Sequence, residues 1–139
     1  MRILFIGDIV GSPGRQMLQQ HLPALKEKIC PNLTIVNGEN AAHGKGITKK
    51  IYHQLLGCGA DYITMGNHTF SKSELKMFIQ EADRLIRPVN LAPVELGEGV
   101  RIARVNGKWI GMVNLCGEVF MDNVVRSPFA CMSEILNRI

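Results

Sequence analysis

The sequence predicts an α/β fold, with a mainly parallel sheet followed by an antiparallel hairpin, and three observations carry that prediction. Three short apolar runs, within residues 3–6, 33–36 and 62–65, each end on a glycine-containing polar turn: Gly7-Asp8, Asn37-Gly38-Glu39-Asn40 and Gly66-Asn67-His68. Each run is followed by apolar residues at helical spacing, the β-loop-α rhythm that produces parallel strands. Late in the chain Asn106-Gly107 separates two strand-like runs, 101–105 and 108–113, which is the strongest short-range hairpin signal.

Taken in order, residues 2–7 read as a central strand, apolar on both faces as a buried parallel strand requires. Gly11 permits a tight turn, Ser12 is placed to cap a helix and Pro13 suits its first position. Met17, Leu18, Leu22 and Leu25 then recur at helical spacing. Pro23 is expected to kink or divide that helix, and Pro31 to end the crossover. Residues 33–37 form the second strand, and residues 41–47 a glycine-punctuated loop containing His43. Thr48 is placed to cap a helix carrying Ile51, Leu55 and Leu56, which stops at Gly57 or Gly59. Residues 61–65 form the third strand. Ser71-Lys72-Ser73-Glu74 fits a capping box, in which the two end side chains satisfy the free N–H groups of a helix start. The stripe of that helix is Leu75, Phe78, Ile79 and Ala82.

The character changes after Arg87-Pro88. A short extended piece (89–91) and a loop (93–99) precede the hairpin, which reads as the start of a second sheet. Ser127-Pro128 opens a last helix with Phe129, Met132, Ile135, Leu136 and Ile139 on one side.

The length, 139 residues, suits one domain, and 46% hydrophobic with 20% charged residues is ordinary globular composition. The net charge of +4 is scattered, Lys49-Lys50 being the longest basic run. With no basic stripe and no interleaved aromatics, direct nucleic-acid binding is not expected. Cys30, Cys58, Cys116 and Cys131 form no CxxC pair, which argues against structural zinc and for buried free thiols in a reducing cytoplasm. No stretch approaches the roughly 20 apolar residues of a membrane span.

The strand ends carry the chemistry. Alone, Asp8 is equally a helix cap, a ribose ligand or a solvated carboxylate. The Gly-x-Gly-x-x-Gly order of a dinucleotide loop and the lysine of a phosphate loop are both absent. Glu39-Asn40 is by itself a polar turn, but it adds a second carboxylate and an amide oxygen, ligands that suit divalent ions. A carboxylate there can bridge two ions about 3.5–4 Å apart. His68 is a ligand, a proton donor or a strand-end imidazole that merely finds a hydrogen bond; imidazole exchanges protons near neutral pH. On neighbouring strands of one sheet, Asp8, Glu39, Asn40, Asn67 and His68 favour the metal reading. His43 reads as exposed, and His21 and His53 as structural residues on helices.

With those residues in view, the chain resembles the calcineurin-like metallophosphoesterase superfamily and, within it, the YmdB-type bacterial phosphoesterases. The resemblance rests on residues 1–15, on Asn37-Gly-Glu-Asn-Ala-Ala-His-Gly-Lys-Gly46, on Thr64-Met-Gly-Asn-His68 and on Arg87-Pro-Val-Asn90. It implies that residues 1–139 form the N-terminal part of a four-layer α-β-β-α sandwich with a dinuclear centre. The two divalent ions would be iron, with manganese or magnesium as alternatives. By its pattern Asp8 and Glu39 bind metal, Glu39 bridging; Asn40 and Asn67 each serve one ion; His68 is the proton donor. The implied activity is hydrolysis of small phosphodiesters, notably 2′,3′-cyclic nucleotides. Val10 stands where the superfamily has the histidine of Asp-x-His, a feature the YmdB type shares. Family members are longer, and their other metal-binding histidines fall beyond Ile139, whereas His68 is the last histidine here. The expectation is therefore half a site and a partly unpaired second sheet. Such a chain would self-associate as a homo-oligomer or accept a complementing C-terminal half.

Overall fold

A computed structural model describes every residue from Met1 to Ile139. Four parallel strands, β1 (Ile3–Ile6), β2 (Leu33–Asn37), β3 (Tyr62–Thr64) and β4 (Leu85–Ile86), lie side by side in that order. Ile6 is level with Val36, Asn37 with Thr64, and Thr64 with Ile86. Because the strands are in step and run the same way, everything that follows them collects at one edge. Helices α1 (Gly11–Ile29), α2 (Lys49–Gly57) and α3 (Glu74–Phe78) make the crossovers. A 3-10 turn, Thr69–Ser71, precedes α3.

Strand side chains alternate between faces. Val36, Ile63 and Leu85 point to the helix side and join Leu22, Ile47, Leu55 and Leu75 in a core of 18 buried residues. Burying each such side chain contributes about 1.5–3 kcal/mol. Leu33, Ile35 and Ile86 point the other way and meet the antiparallel hairpin of β5 (Val100–Val105) and β6 (Lys108–Val113). Only Met112 of the hairpin is buried there, with Ala103, Val105 and Ile110 packed around it. Asn106 and Gly107 both adopt positive φ, 48° and 77°, as a two-residue hairpin turn requires. Helix α4 (Pro128–Leu136) follows, and a Cβ placed on Gly111 of β6 would meet Ile139 Cδ1 at 3.6 Å. The chain thus stacks a helix layer, a parallel sheet and a hairpin, with its C-terminal end against the hairpin.

Several expectations are corrected. Residues 2–7 are not a central strand: β1 lies at the sheet edge, with Ile3 and Phe5 52% and 57% exposed. The hairpin reaches across β2–β4 but leaves the outer face of β1 open. Pro23 does not divide α1, which runs unbroken for 19 residues; the lost N–H is one bond in a helix fixed at its middle by fully buried Leu22. That helix starts at Gly11 after Val10, so Ser12 caps nothing. Met17 and Leu25 are exposed, leaving Leu18 and Leu22 as its buried stripe.

The capping box does not form, because Ser71 ends the 3-10 turn and Ser73 precedes α3 without a side-chain bond. Glu74 Oε1 instead accepts from the Lys49 N–H at 3.0 Å and so serves the start of α2. Thr48 caps α2 as expected, accepting from the Ile51 N–H at 3.3 Å. The extended segment after α3 is Leu85–Ile86, before Arg87-Pro88 and not after it. On α4, Phe129, Leu136 and the following Ile139 are exposed and only Cys131 is buried. Cys30 is exposed and Cys58 half-buried, so only Cys116 and Cys131 are buried thiols; all four are free.

Candidate functional site

The carboxyl edge of the sheet is stitched together before any side chain acts. The Ile9 N–H donates to Asn37 O at 3.1 Å, Gly38 N–H to Thr64 O at 2.9 Å and Met65 N–H to Ile86 O at 3.0 Å. The Gly11 N–H adds a bond to Asn40 O at 2.9 Å, tying the first strand-end loop to the second. These links fix the turns that carry the polar side chains.

Asp8 sits at φ 35°, a left-handed conformation that aspartate tolerates better than most residues. Asn40 Nδ2 donates to Asp8 Oδ1 at 2.8 Å. His68 Nδ1 donates to Asn40 Oδ1 at 2.6 Å, since an amide oxygen only accepts. Three residues from three strand ends therefore form one chain, Asp8–Asn40–His68, with Asn40 in the middle. The Nε2 end of His68 is left for other partners.

Glu39 is placed differently. A Cβ added to Gly66 would lie 2.0 Å from Glu39 Oε2, so the carboxylate occupies the space that a side chain at 66 would need. That oxygen is buried and has no hydrogen-bond partner. A buried charged oxygen without a partner is costly unless a counter-charge meets it. Cys116 lies near enough that its thiol is pushed up, first by burial and then by the Glu39 carboxylate.

Asn67 is exposed and makes no side-chain bond to the other four. It lines a cavity of about 220 Å³ with His68, Ser71, Leu91, Phe120, Met121, Asp122 and Asn123. The structure thus joins Asp8, Asn40 and His68 directly, aims Glu39 at Gly66 and leaves Asn67 on the rim. No three His, Cys, Asp or Glu side chains converge at metal-binding separations. The donor set is two carboxylates with two amides and an imidazole. It fits a divalent cation on one observation above all, the orphaned Glu39 oxygen, and on its oxygen-rich chemistry. His43 is exposed and His53 lies on α2, away from this edge. His21 on α1 shares a cavity of about 300 Å³ with Asp8, closer to the site than its helical position suggested. A further cavity of about 360 Å³ lies at the opposite edge around Asn32, Asp61 and Arg84.

Four residues to which the sequence assigned no role support the site. Arg15 donates from Nε to Gln54 at 3.1 Å and from a terminal nitrogen to Ala41 O, bracing the loop after Asn40. Asn114 Nδ2 donates to Met65 O and Ile86 O at 2.6 and 2.8 Å, holding the strand end that carries Gly66-Asn67-His68. It follows β6 directly, so the strand-end rule used elsewhere would have found it. Asn90 is fully buried, donating to Cys116 O and Arg126 O and accepting from the Cys116 N–H. Arg87 is buried and donates to the carbonyls of Pro88, Val89, Leu91, Val94 and Leu96. Burial lowers its pKa, while Glu98 and Glu95 oppose the shift.

Fold and edge together define a class: α/β proteins with a parallel sheet whose polar strand-end turns gather at its carboxyl edge. Within that class the chain belongs to the YmdB-like protein family, whose model matches residues 4–139. It is 50% identical over 136 residues to the 2′,3′-cyclic-nucleotide 2′-phosphodiesterase of Bacillus subtilis (strain 168), a match covering 98% of this chain and 51% of that protein. The crystal structure of a novel phosphatase from Mycoplasma pneumoniae superposes with a TM-score of 0.91 at 38% identity, covering 98% of this chain and 50% of that one. The crystal structure of a hypothetical protein from Thermus thermophilus gives 0.90 at 34% identity, covering 100% and 54%. The chain spans about half the length of these relatives.

Proposed function

We propose that this chain carries the strand-end portion of a metal-dependent phosphodiesterase centre whose substrates are 2′,3′-cyclic nucleotides. The observation that carries this reading is the buried, unpartnered Glu39 oxygen beside the linked trio Asp8–Asn40–His68. The activity of the Bacillus subtilis relative supplies the substrate class. Asp8, Glu39, Asn40 and Asn67 would hold two divalent ions, with Glu39 between them; iron is the favoured metal and manganese or magnesium the alternatives. Such ions, when bound, supply positive charge for the phosphate oxygens and a nucleophilic water at neutral pH.

The chain's own residues do the rest. The amide of Asn40 holds the His68 ring by Nδ1, which leaves Nε2 as the nitrogen that delivers a proton to the departing ribose oxygen. Because Nδ1 keeps its own hydrogen in that bond, the delivering form is the imidazolium. Gly66 leaves room for the Glu39 carboxylate. The four free cysteines suit a reducing compartment, and the proposed location is the cytoplasm; no helix is long and apolar enough to cross a membrane.

The test is turnover of 2′,3′-cyclic AMP with added Mn²⁺ or Fe²⁺. His68→Ala is expected to lower kcat by about 100-fold or more, the range of a general acid. Asn67→Ala is expected to weaken metal dependence. No turnover of any phosphodiester by the intact protein with any divalent metal would contradict the proposal.

A second reading, an interaction module, is favoured by one feature. An apolar groove of about 270 Å³ runs between sheet and hairpin, lined by Ile3, Phe5, Ile35, Ile110 and Met112 among others. It suits self-association or a complementing C-terminal half. Sedimentation should then show a dimer that Phe5→Glu dissociates; a monomer at all concentrations would remove the self-association form of this reading.

A further inference from the structure

One side chain beside the site has no use within the chain. Phe120 is 99% exposed, and its backbone is left-handed at φ 60°, a conformation that bulky residues rarely adopt. Both the exposure and the backbone are unfavourable, and no packing offsets them. The segment that carries it is nonetheless anchored on both sides. The Met121 N–H closes a turn onto Glu118 O at 3.3 Å, and the Ala92 N–H donates to Asn123 O at 2.9 Å. Leu91 and Val124 form an antiparallel bridge, and the Val125 N–H donates to Asn90 O at 2.9 Å. The ring is therefore held out by a braced turn, on the wall of the cavity that Asn67 and His68 also line.

A flat apolar ring that lines one cavity with the His68 imidazole, alongside the polar Asn67, Ser71, Asp122 and Asn123 and the apolar Leu91 and Met121, suits a substrate with one charged end and one flat end. Base–aromatic stacking needs only a π-face and tolerates any base. We infer that Phe120 is the stacking platform for the nucleobase of a nucleoside phosphodiester bound at the strand-end site, and so sets its preference for nucleotides over other phosphodiesters. The inference rests on the phosphodiesterase reading above, and the experiment separates the two.

Binding of adenosine 3′-monophosphate, ribose 3-phosphate and inorganic phosphate is measured by calorimetry with Mn²⁺ present, for the wild type, Phe120→Ala and Phe120→Trp. The nucleotide is expected to bind about tenfold or more tightly than the sugar phosphate, within the range that stacking supports. Phe120→Ala should remove most of that ratio and Phe120→Trp keep it, with indole emission quenched by the nucleotide and not by the sugar phosphate. Inorganic phosphate, having no base, probes the metal end alone. Its failure to bind would count against the metal reading, while the Phe120→Trp emission still reports stacking. Equal binding of nucleotide and sugar phosphate in the wild type, or an undiminished ratio in Phe120→Ala, would overturn the inference.

Discussion

The two faces of the parallel sheet are made by alternate residues of the same strands, yet they close to very different extents. Toward the helices, Val36 and Ile63 are fully buried in a cluster of 18 residues. Toward the hairpin, the cluster holds four, and β1 leaves Ile3 and Phe5 more than half exposed. The helix face owes its closure to contacts made within each β-α unit and its neighbour. The hairpin face depends on one two-stranded piece that covers β2–β4 only in part. Stability and function are thereby separated: the closed face holds the strands in step, and their ends then present Asp8, Glu39, Asn40 and His68. The open face leaves Ile3 and Phe5 in contact with solvent.

Truncating one side chain on each face contrasts them directly. Leu55→Ala should destabilise the chain by about 2–5 kcal/mol in urea unfolding, as full-burial leucine truncations do. Phe5→Ala should cost less than about 1 kcal/mol, because its side chain is already half in water. Equal costs would show the two faces to be equally closed. Next comes the segment joining them. Arg87→Ala strips hydrogen-bond donors from five carbonyls, and a loss on the order of 3 kcal/mol is expected. Arg87→Lys should recover only part, since an ammonium lacks the planar fork.

Gly66→Ala probes how the closed core bears on the site. Its Cβ would collide with the Glu39 carboxylate, so Mn²⁺ affinity should fall about tenfold or more while the unfolding midpoint moves little. Unchanged affinity would mean that the carboxylate is not held where the site needs it.

A weaker signal is expected from the pH dependence of the helix face. The Tyr52 hydroxyl is raised above its ordinary 10.0, chiefly by burial, with Asp83 adding to the shift; its bond from the Arg84 N–H opposes it. A raised folded-state value means stability that is present below about pH 10 and lost as pH climbs through the folded value. The melting temperature should therefore fall above about pH 10, and Tyr52→Phe should flatten that limb.

Strand-end residues were legible because their chemistry is local: a short apolar run stopping at Gly7-Asp8 or Gly66-Asn67-His68 declares both the strand and its edge. The hairpin was legible for the same reason, through Asn106-Gly107. What escaped depends on contacts between distant segments. Glu74 was read as serving its own helix, but it serves α2 across 25 residues of chain. β1 reads as a buried strand because its composition is apolar on both sides, and composition carries no information on what covers it. Leu85–Ile86 is two residues long, too short for a period to register. Phe120 escaped because its exposure comes from an unusual backbone angle at a braced turn, which no residue spacing encodes.

Whether the strand ends hold divalent metal is decided by titrating Mn²⁺ into the wild type and Glu39→Gln and following bound metal by calorimetry. Saturable binding by the wild type is expected, with binding at least about tenfold weaker in the variant and the fold intact by circular dichroism. Absence of saturable binding in the wild type, or equal affinity in the two proteins, would contradict the metal reading.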